Sequence, residues 1–351
     1  MNRPAITVVI ATYNRAHLLR RAIESIQAQT YQETIIAVYD NASSDDTQEV
    51  MAQIAQSDPR IRYYRHRENI GGARNFLFGL HRVETPLFFF LSDDDIVLPH
   101  FFATAVTWLE RYPSARLAAG GTLELTGLGE LVFAPQAYWP RDGYFSPPQG
   151  LDLMLRGFHP SWNTILFRSE ILEEIGGFNP DLPNVSDFDF TLRIVCRHPY
   201  IVFREPSGVF VRHPSSGGEF ADASVIGQFE LMTAGLLAAE DISDASKELI
   251  RRELPIMLYK RILQIAVKAL LRRQPERARE ALASYHNRYP ATLFSLALDS
   301  LARAGTIFPP LLSALLPADA LRRRTFKNRI YSAARSNGVL LDIPSIASYL
   351  K

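Results

Sequence analysis

Four short β-branched or aromatic runs mark the N-terminal third of the chain: AITVVIA (5–11), TIIAVYD (34–40), IRYYR (61–65) and PLFFFL (86–91). Each is separated from the next by a stretch with helical spacing, and that order predicts successive βαβ units. Strands this apolar need cover on both faces, so a mostly parallel sheet between helix layers is expected. Ligands of such sheets bind beyond the carboxyl ends of the strands. Three of those ends are polar here: TYNR follows the first run, DNASSDDT begins with the last residue of the second, and SDDD follows the fourth.

The last of these places Asp93, Asp94 and Asp95 directly behind an apolar strand. Like charges so close repel, and burial raises the cost, so the triplet calls for compensation. A divalent cation would supply it. A solvated turn, with one aspartate capping the helix expected over Pro99 to Tyr112, is the alternative, and this segment alone does not choose between them.

At 351 residues and 47% hydrophobic content, the chain suits one large domain plus an appendage. Residues 1–220 carry 19 Lys and Arg against 25 Asp and Glu, whereas 221–351 carry 19 against 12, and all five lysines fall in the second part. A boundary near residue 220 follows. The single cysteine, Cys196, rules out an internal disulfide and a multi-cysteine zinc site, and reads as a small buried helix residue. The N-terminal apolar run is too short for a secretory signal, and a cytoplasmic protein is expected. No run of about 18 uninterrupted apolar residues occurs, so membrane contact would be peripheral. Neither GxGxxG nor GxxxxGK[ST] is present, which argues against dehydrogenases and P-loop ATPases.

ENIGGARN (68–75) sets two glycines at a helix start, where free N–H groups attract anions and Arg74 lies nearby, although an ordinary helix start accounts for it. PQAYWPRDGYFSPPQG (135–150) reads as a substrate lid or a packed surface loop. SDFDFTLRIVCRH (186–198) predicts a helix with Asp187 and Asp189 in its first turn, and GVFVRHPSSGGE (208–219) a strand running into a basic, hydroxyl-rich turn. Residues 221–351 read as helices throughout. Within them, IFPPLLSALLP (307–317) and the basic LRRRTFKNR could rest on an anionic bilayer, but packing against the first part or in a homo-oligomer ranks ahead.

Taken in order, TVVIATYNR, YDNASSDDT, ENIGGARN, FFFLSDDDIVLP, IGGFN, SDFDFTLR and RHPSS resemble the family 2 inverting glycosyltransferases across residues 5–219. The resemblance implies a GT-A fold, an α/β architecture with a Rossmann-like, mostly parallel sheet between helices, here at 1–220; the all-helical C-terminal extension at 221–351 lies outside the resemblance. It implies that Thr12, Tyr13 and Asn14 line the nucleotide pocket, that Asp40 contacts the base or ribose, and that Arg74 adds to donor binding. The aspartates correspond to the family's DxD-type site. Asp94 is then the first choice as ligand of Mn²⁺ or Mg²⁺, Asp95 a supporting ligand, Asp93 a ribose or supporting contact, and His213 a further metal or diphosphate contact. Asp187 matches the second position of the family's ED-like motif and is assigned as catalytic base, with Ser186 in place of the usual glutamate and Asp189 secondary.

The chemistry agrees with those residue types. A hard cation held by carboxylates stabilises a leaving diphosphate, and inversion needs a base on the opposite face of the sugar. The expected function is metal-dependent, inverting transfer of a sugar from a UDP-linked donor to a hydroxyl of a surface polysaccharide or lipid-linked glycan, with peripheral contact at the inner membrane face and no nucleic acid partner. A sugar nucleotidyltransferase is the enzymatic rival, disfavoured because ATYNR is not a Gly-rich basic loop. A glycan- or nucleotide-sugar-binding module is the other.

Overall fold

The computed structural model of the protein describes residues 3–157, 159–212, 224–307 and 319–350, with the backbone alone for 319–326. The first described element is β1 (Ile6–Thr12), and the four apolar runs become β1, β2 (Thr34–Asp40), β3 (Ile61–Arg65) and β4 (Leu87–Ser92). Between them lie α1 (Ala16–Gln27), α2 (Thr47–Ser57) and α3 (Gly72–Leu80). β1, β2, β3 and β4 pair in parallel in the spatial order β3-β2-β1-β4. Parallel register sets Thr12 beside Asp40, Ala11 beside Ser92, and Asp40 beside Arg65, so three polar strand ends lie on one rim.

Past β4 the sheet becomes mixed. It continues through β9 (Ile165–Arg168), β6 (Leu117–Thr126), β10 (Tyr200–Arg212) and the two-residue β5 (Ile96–Val97), with β7 (Leu131–Phe133) on β6 and β8 (Gly143–Phe145) on β10. The β4–β9, β9–β6 and β10–β5 pairs are antiparallel, and β6–β10 is parallel. Short helices α5 (Gln149–Leu155) and α6 (Ile171–Ile175) and the longer α4 (Phe101–Arg111) and α7 (Ser186–Val195) fill the connections.

The side-chain alternation of β1 explains the two layers. Ile6, Val8 and Ile10 bury with Leu19, Ile23 and Ile26 of α1 and Phe101 and Phe102 of α4. On the opposite face, α3 comes so close that a Cβ on Gly79 would stand 2.6 Å from Val9 Cγ1 and 2.7 Å from the Tyr39 ring. Only glycine permits that approach, and it seats α3 on the residue immediately before Asp40.

The chain parts into two compact units, one of residues 1–213 with 327–351, the other of 214–326. This differs from the boundary expected at 220, because the last segment rejoins the first unit. The division falls inside α12 (Asp319–Ser336), and α13 (Ile343–Ala347) follows. The second unit contains α8 (Val225–Ala238), α9 (Asp244–Leu271), α10 (Pro275–His286) and α11 (Leu293–Ile307). Ser243 caps α9, its Oγ accepting from the Ser246 N–H at 3.2 Å. Buried Ala278, Ala281 and Leu282 give α10 the small, apolar face that helix packing needs. Among the described residues no helix is long and apolar enough to cross a membrane. The segment 308–318, most of the expected bilayer wedge, lies outside the described residues.

Gly79→Ala is expected to destabilise the first unit by about 1–3 kcal/mol, the usual cost of overpacking. A thermal melt unchanged from the parent protein would mean that α3 does not lie on Val9 and Tyr39 at this distance.

Candidate active site

The aspartate turn is not solvated. Asp93, Asp94 and Asp95 are 4%, 9% and 2% exposed, and none caps α4, whose N-cap residue His100 makes no side-chain cap bond. Compensation comes instead from the first strand's loop. Thr12 Oγ1 donates to Asp93 Oδ2 at 2.7 Å, and Arg15 Nη1 donates to Asp93 Oδ1 and Asp94 Oδ2, both at 3.0 Å. Arg21 Nη2 adds a bond to the Asp94 carbonyl at 3.1 Å. Asp95 points inward and accepts from the Val211 N–H of β10 at 3.1 Å. Burial, then repulsion by Asp94, pushes the Asp95 carboxyl well above the usual carboxylate range. Burial also raises Asp93, although Arg15 opposes it.

The loops after β1 and β2 are laced together. Asn14 takes φ +53°, a left-handed conformation asparagine tolerates, its N–H donating to Ser43 Oγ at 2.9 Å and its Oδ1 accepting from the Ser44 N–H at 2.7 Å. Asp45 Oδ2 accepts from the Ala16 N–H at the start of α1 at 3.0 Å. Tyr13, 45% exposed, is left facing solvent beside them.

Asp40, expected to contact the base or ribose, is the last residue of β2. It is fully buried, with Oδ1 accepting from the Ser43 N–H at 2.8 Å and Oδ2 from Tyr63 Oη at 2.6 Å, while Arg65 Nε stands 3.4 Å away. Donors of the chain bind both of its oxygens, and these bonds shape the loop after β2. The loop after β3 is tied in by Asn41 and Asn75, which lie within DNASSDDT and ENIGGARN without any local signal of that role. Asn75 Nδ2 donates to the Tyr39 carbonyl at 2.7 Å, and its Oδ1 lies 2.9 Å from His66 Nε2. Asn41 Oδ1 accepts from the Ile70 N–H at 2.8 Å. Arg74, on the first turn of α3, is exposed.

On the α3 side of the sheet, Phe90 stacks on Trp162 at 4.6 Å between ring centres and packs on Phe178 at 5.0 Å. Phe178 in turn meets Phe190 of α7 at 5.1 Å. This aromatic chain links β4, two residues before Ser92, to the helix carrying Asp187. Asp187 is exposed, its Oδ1 accepting from the Phe188 N–H at 2.8 Å. Asp189 is buried and accepts from Arg193 Nε at 2.9 Å, and burial raises its carboxyl despite that arginine. Arg193 also donates to the Ile175 and Gly177 carbonyls, both at 2.6 Å, which explains the IGGF stretch as an arginine-bound turn.

Among the described residues no three His, Cys, Asp or Glu side chains converge as a metal cluster, and His213 lies outside those residues. The donor set nevertheless suits a hard divalent ion. Mg²⁺-like cations take one or two carboxylates and complete their shell with phosphate oxygens and water, and Asp93 and Asp94 are adjacent hard donors.

Residues 7–176 match the model of "Glycosyl transferase family 2". An uncharacterized glycosyltransferase of Rickettsia felis is 29% identical over 195 residues, 55% of this chain and 31% of its own length. The GalNAc(5)-diNAcBac-PP-undecaprenol beta-1,3-glucosyltransferase of Campylobacter jejuni is 36% identical over 104 residues, 29% of this chain and 33% of its own. The chain thus spans about a third of the length of these two relatives. Among solved structures, S. aureus TarS 1-349 in complex with UDP-GlcNAc shares 17% identity over 86% of this chain and 87% of that one, with a TM-score of 0.65. The mannosyltransferase PcManGT of Pyrobaculum calidifontis, in complex with GDP-Man and Mn²⁺, shares 19% over 96% and 88%, with a TM-score of 0.55. The first unit therefore has the GT-A fold, a mostly parallel α/β sheet flanked by helices. Through residues 7–176 the chain is similar to the family 2 glycosyltransferases.

Two tests follow from the geometry. Asn75→Ala strips a buried carbonyl and His66 of their partner, and should cost about 1–3 kcal/mol in thermal unfolding. Arg74→Ala, exposed, should stay within roughly 0.5 kcal/mol, and equal losses would undo the distinction. For Asp95, a carboxyl raised in the folded state opposes folding once ionised, and that opposition fades as pH falls through the raised value. Asp95→Asn keeps an acceptor for Val211 and removes the charge. The variant's apparent Tm at neutral pH should rise, with the gain shrinking on acidification; a lower Tm at neutral pH would show that the carboxylate's charge is needed in the fold.

Proposed function

We propose that the protein is a metal-dependent, inverting glycosyltransferase that moves a sugar from a UDP-linked donor to a hydroxyl of a lipid-linked or surface glycan. The observation that carries this reading is the pairing of a buried aspartate turn on the strand-end rim with one exposed carboxylate, Asp187, on a helix braced to the same strand by aromatic rings. The UDP-GlcNAc bound by TarS supports the donor class, and the undecaprenol-linked substrate in the name of the Campylobacter jejuni relative supports the acceptor class. The Mn²⁺ bound by PcManGT supports the cofactor, Mn²⁺ or Mg²⁺.

In this reading Thr12, Tyr13 and Asn14 form the nucleotide wall, with the open ring of Tyr13 as a stacking face. Asp40 keeps that wall in shape. Asp94, with Asp93 and Asp95 in support, would hold the cation, and Arg15 and Arg74 supply positive charge for the diphosphate. A bound cation would lower the cost of charge developing on the leaving nucleoside diphosphate. Asp187 accepts the proton of the acceptor hydroxyl as its oxygen bonds to the sugar's C1, while the bond from C1 to the diphosphate oxygen breaks and its electron pair leaves with the nucleotide. Asp189 is bound to Arg193 and takes no part in the proton transfer.

Asp187→Asn should lower turnover by about 10²–10⁴-fold, the usual contribution of a positioned base, while leaving UDP binding intact. Asp189→Asn should lose stability more than turnover at saturating donor. Release of nucleoside diphosphate from a donor panel reads turnover, and calorimetry with UDP and Mn²⁺ reads binding. Near-normal turnover in Asp187→Asn would remove it as the base. Asp94→Ala should weaken Mn²⁺-dependent UDP binding, and UDP binding indifferent to Mn²⁺ in the parent protein would remove the metal from the reading.

A further inference from the structure

The underside of the aspartate turn is completed by the far end of the chain. Ile96 and Leu98, just after the turn, bury with Val209 and Val211 of β10 against Ile330 of α12 and Ile343 and Ile346 of α13. Two polar ties hold the returning segment in place. Asn337 Nδ2 donates to the Ala137 carbonyl at 2.8 Å, and Arg204 Nη1 donates to the Asn337 carbonyl at 2.7 Å.

The β5 side of the turn is also tied to α1 and the segment just after it, where Ser25 Oγ accepts from the Val97 N–H at 3.2 Å and Gln29 Nε2 donates to the Leu98 carbonyl at 2.8 Å. β5, which continues from Asp95, is two residues long and meets β10 through only the pairs Gly208 with Val97 and Val209 with Ile96. The Leu98 N–H extends this short ladder by donating to the Ser207 carbonyl of β10 at 2.8 Å, and the apolar layer behind it adds packing on Ile96 and Leu98. The same strand supplies the Val211 N–H that holds Asp95 inward at 3.1 Å. Val211 therefore faces two ways: its backbone orients the aspartate turn and its side chain rests on the C-terminal layer.

We infer that residues 327–350 are a positioning element of the transferase site, fixing β10 and with it the orientation of Asp95 and Asp94. The inference rests on the reading of Asp94 given under the proposed function. It assigns the chain's last helices to the site rather than to an independent appendage, and it names Ile330, Ile343 and Ile346 as positioning residues. The β6 ladder holds the other edge of β10, pairing Val211 with Leu125, so a loosened layer would let residues 208–211 shift locally on the β5 side, and a carboxylate displaced by about 1 Å loses much of its effect on a reacting group.

The test uses the full chain carrying Ile330→Val with Ile343→Val, beside a comparator, Ile23→Val with Ile54→Val, which trims the helix layer over the other side of the sheet. Backbone hydrogen exchange is followed without metal or nucleotide, and Mn²⁺-dependent UDP binding by calorimetry. In the first variant the segment 205–212 should exchange on the order of tenfold faster, with the segment 6–12 unchanged. The Mn²⁺ needed for half-maximal UDP binding should rise several-fold in that variant alone. Unchanged exchange at 205–212, or an equal rise in the comparator, overturns the inference. Faster exchange in the first variant with unaltered Mn²⁺ dependence also overturns it, because β10 would then move without moving the site. If UDP binding to the parent protein ignores Mn²⁺, the metal reading fails by itself, and the exchange comparison still decides whether the segment holds β10.

Discussion

Three adjacent carboxylates, none more than a tenth exposed, set the terms for the rest of the first unit. Their repulsion in a medium less polarisable than water has to be met by charge and by donated hydrogen bonds. Arg15 bridges two of them, Thr12 donates to the first, and the β10 backbone donates to the third. These partners come from residues about 80 positions upstream and 116 positions downstream, so the turn exists only when β1, β4 and β10 are all in place. In the function proposed above, that concentration of negative charge would serve a cation and a diphosphate.

The first three loops solve a second problem, that of holding a polar rim still. Loops carry unpaired backbone groups and move unless something binds them. Here Asn14, Asp40, Asn41, Asp45 and Asn75 each spend side-chain oxygens or amides on a neighbouring loop or strand. The consequence is a preorganised wall, in which most of the polar residues hold one another and Tyr13 is left to face outward. Preorganisation of this kind lets binding energy go to the ligand instead of to ordering the protein.

Asp187 is set by other means. Its helix is anchored through rings, and aromatic pairs at 4.6–5.1 Å give both area and direction. Phe90 is the common member: it is the last strand residue but two on β4 and the centre of that cluster. The aspartate turn and the exposed carboxylate are thereby fixed to one strand. The neighbouring Asp189 shows why spacing alone could not separate the two acids, since one helical step of two residues turns a side chain from solvent into the core.

The sequence by itself determined the parallel part of the sheet, the rim of polar strand ends and the family resemblance, because local apolar runs, turn residues and short ordered motifs are properties of neighbouring positions. It also determined that Asp93 to Asp95 needed a partner. Which partner was decided only by the tertiary structure: Arg15 stands within TYNR, yet nothing local to that stretch says that its guanidinium reaches two aspartates at the end of the adjacent strand β4. The inward turn of Asp40, the pairing of Asp189 with Arg193 and the bracing by Asn75 were hidden for the same reason, since a side chain's orientation depends on what packs over it. The charge break near residue 220 likewise could not show the last helices returning beneath β10, because the apolar residues that make them return, Ile330, Ile343 and Ile346, match a surface that is assembled from β5, β6 and β10 only on folding.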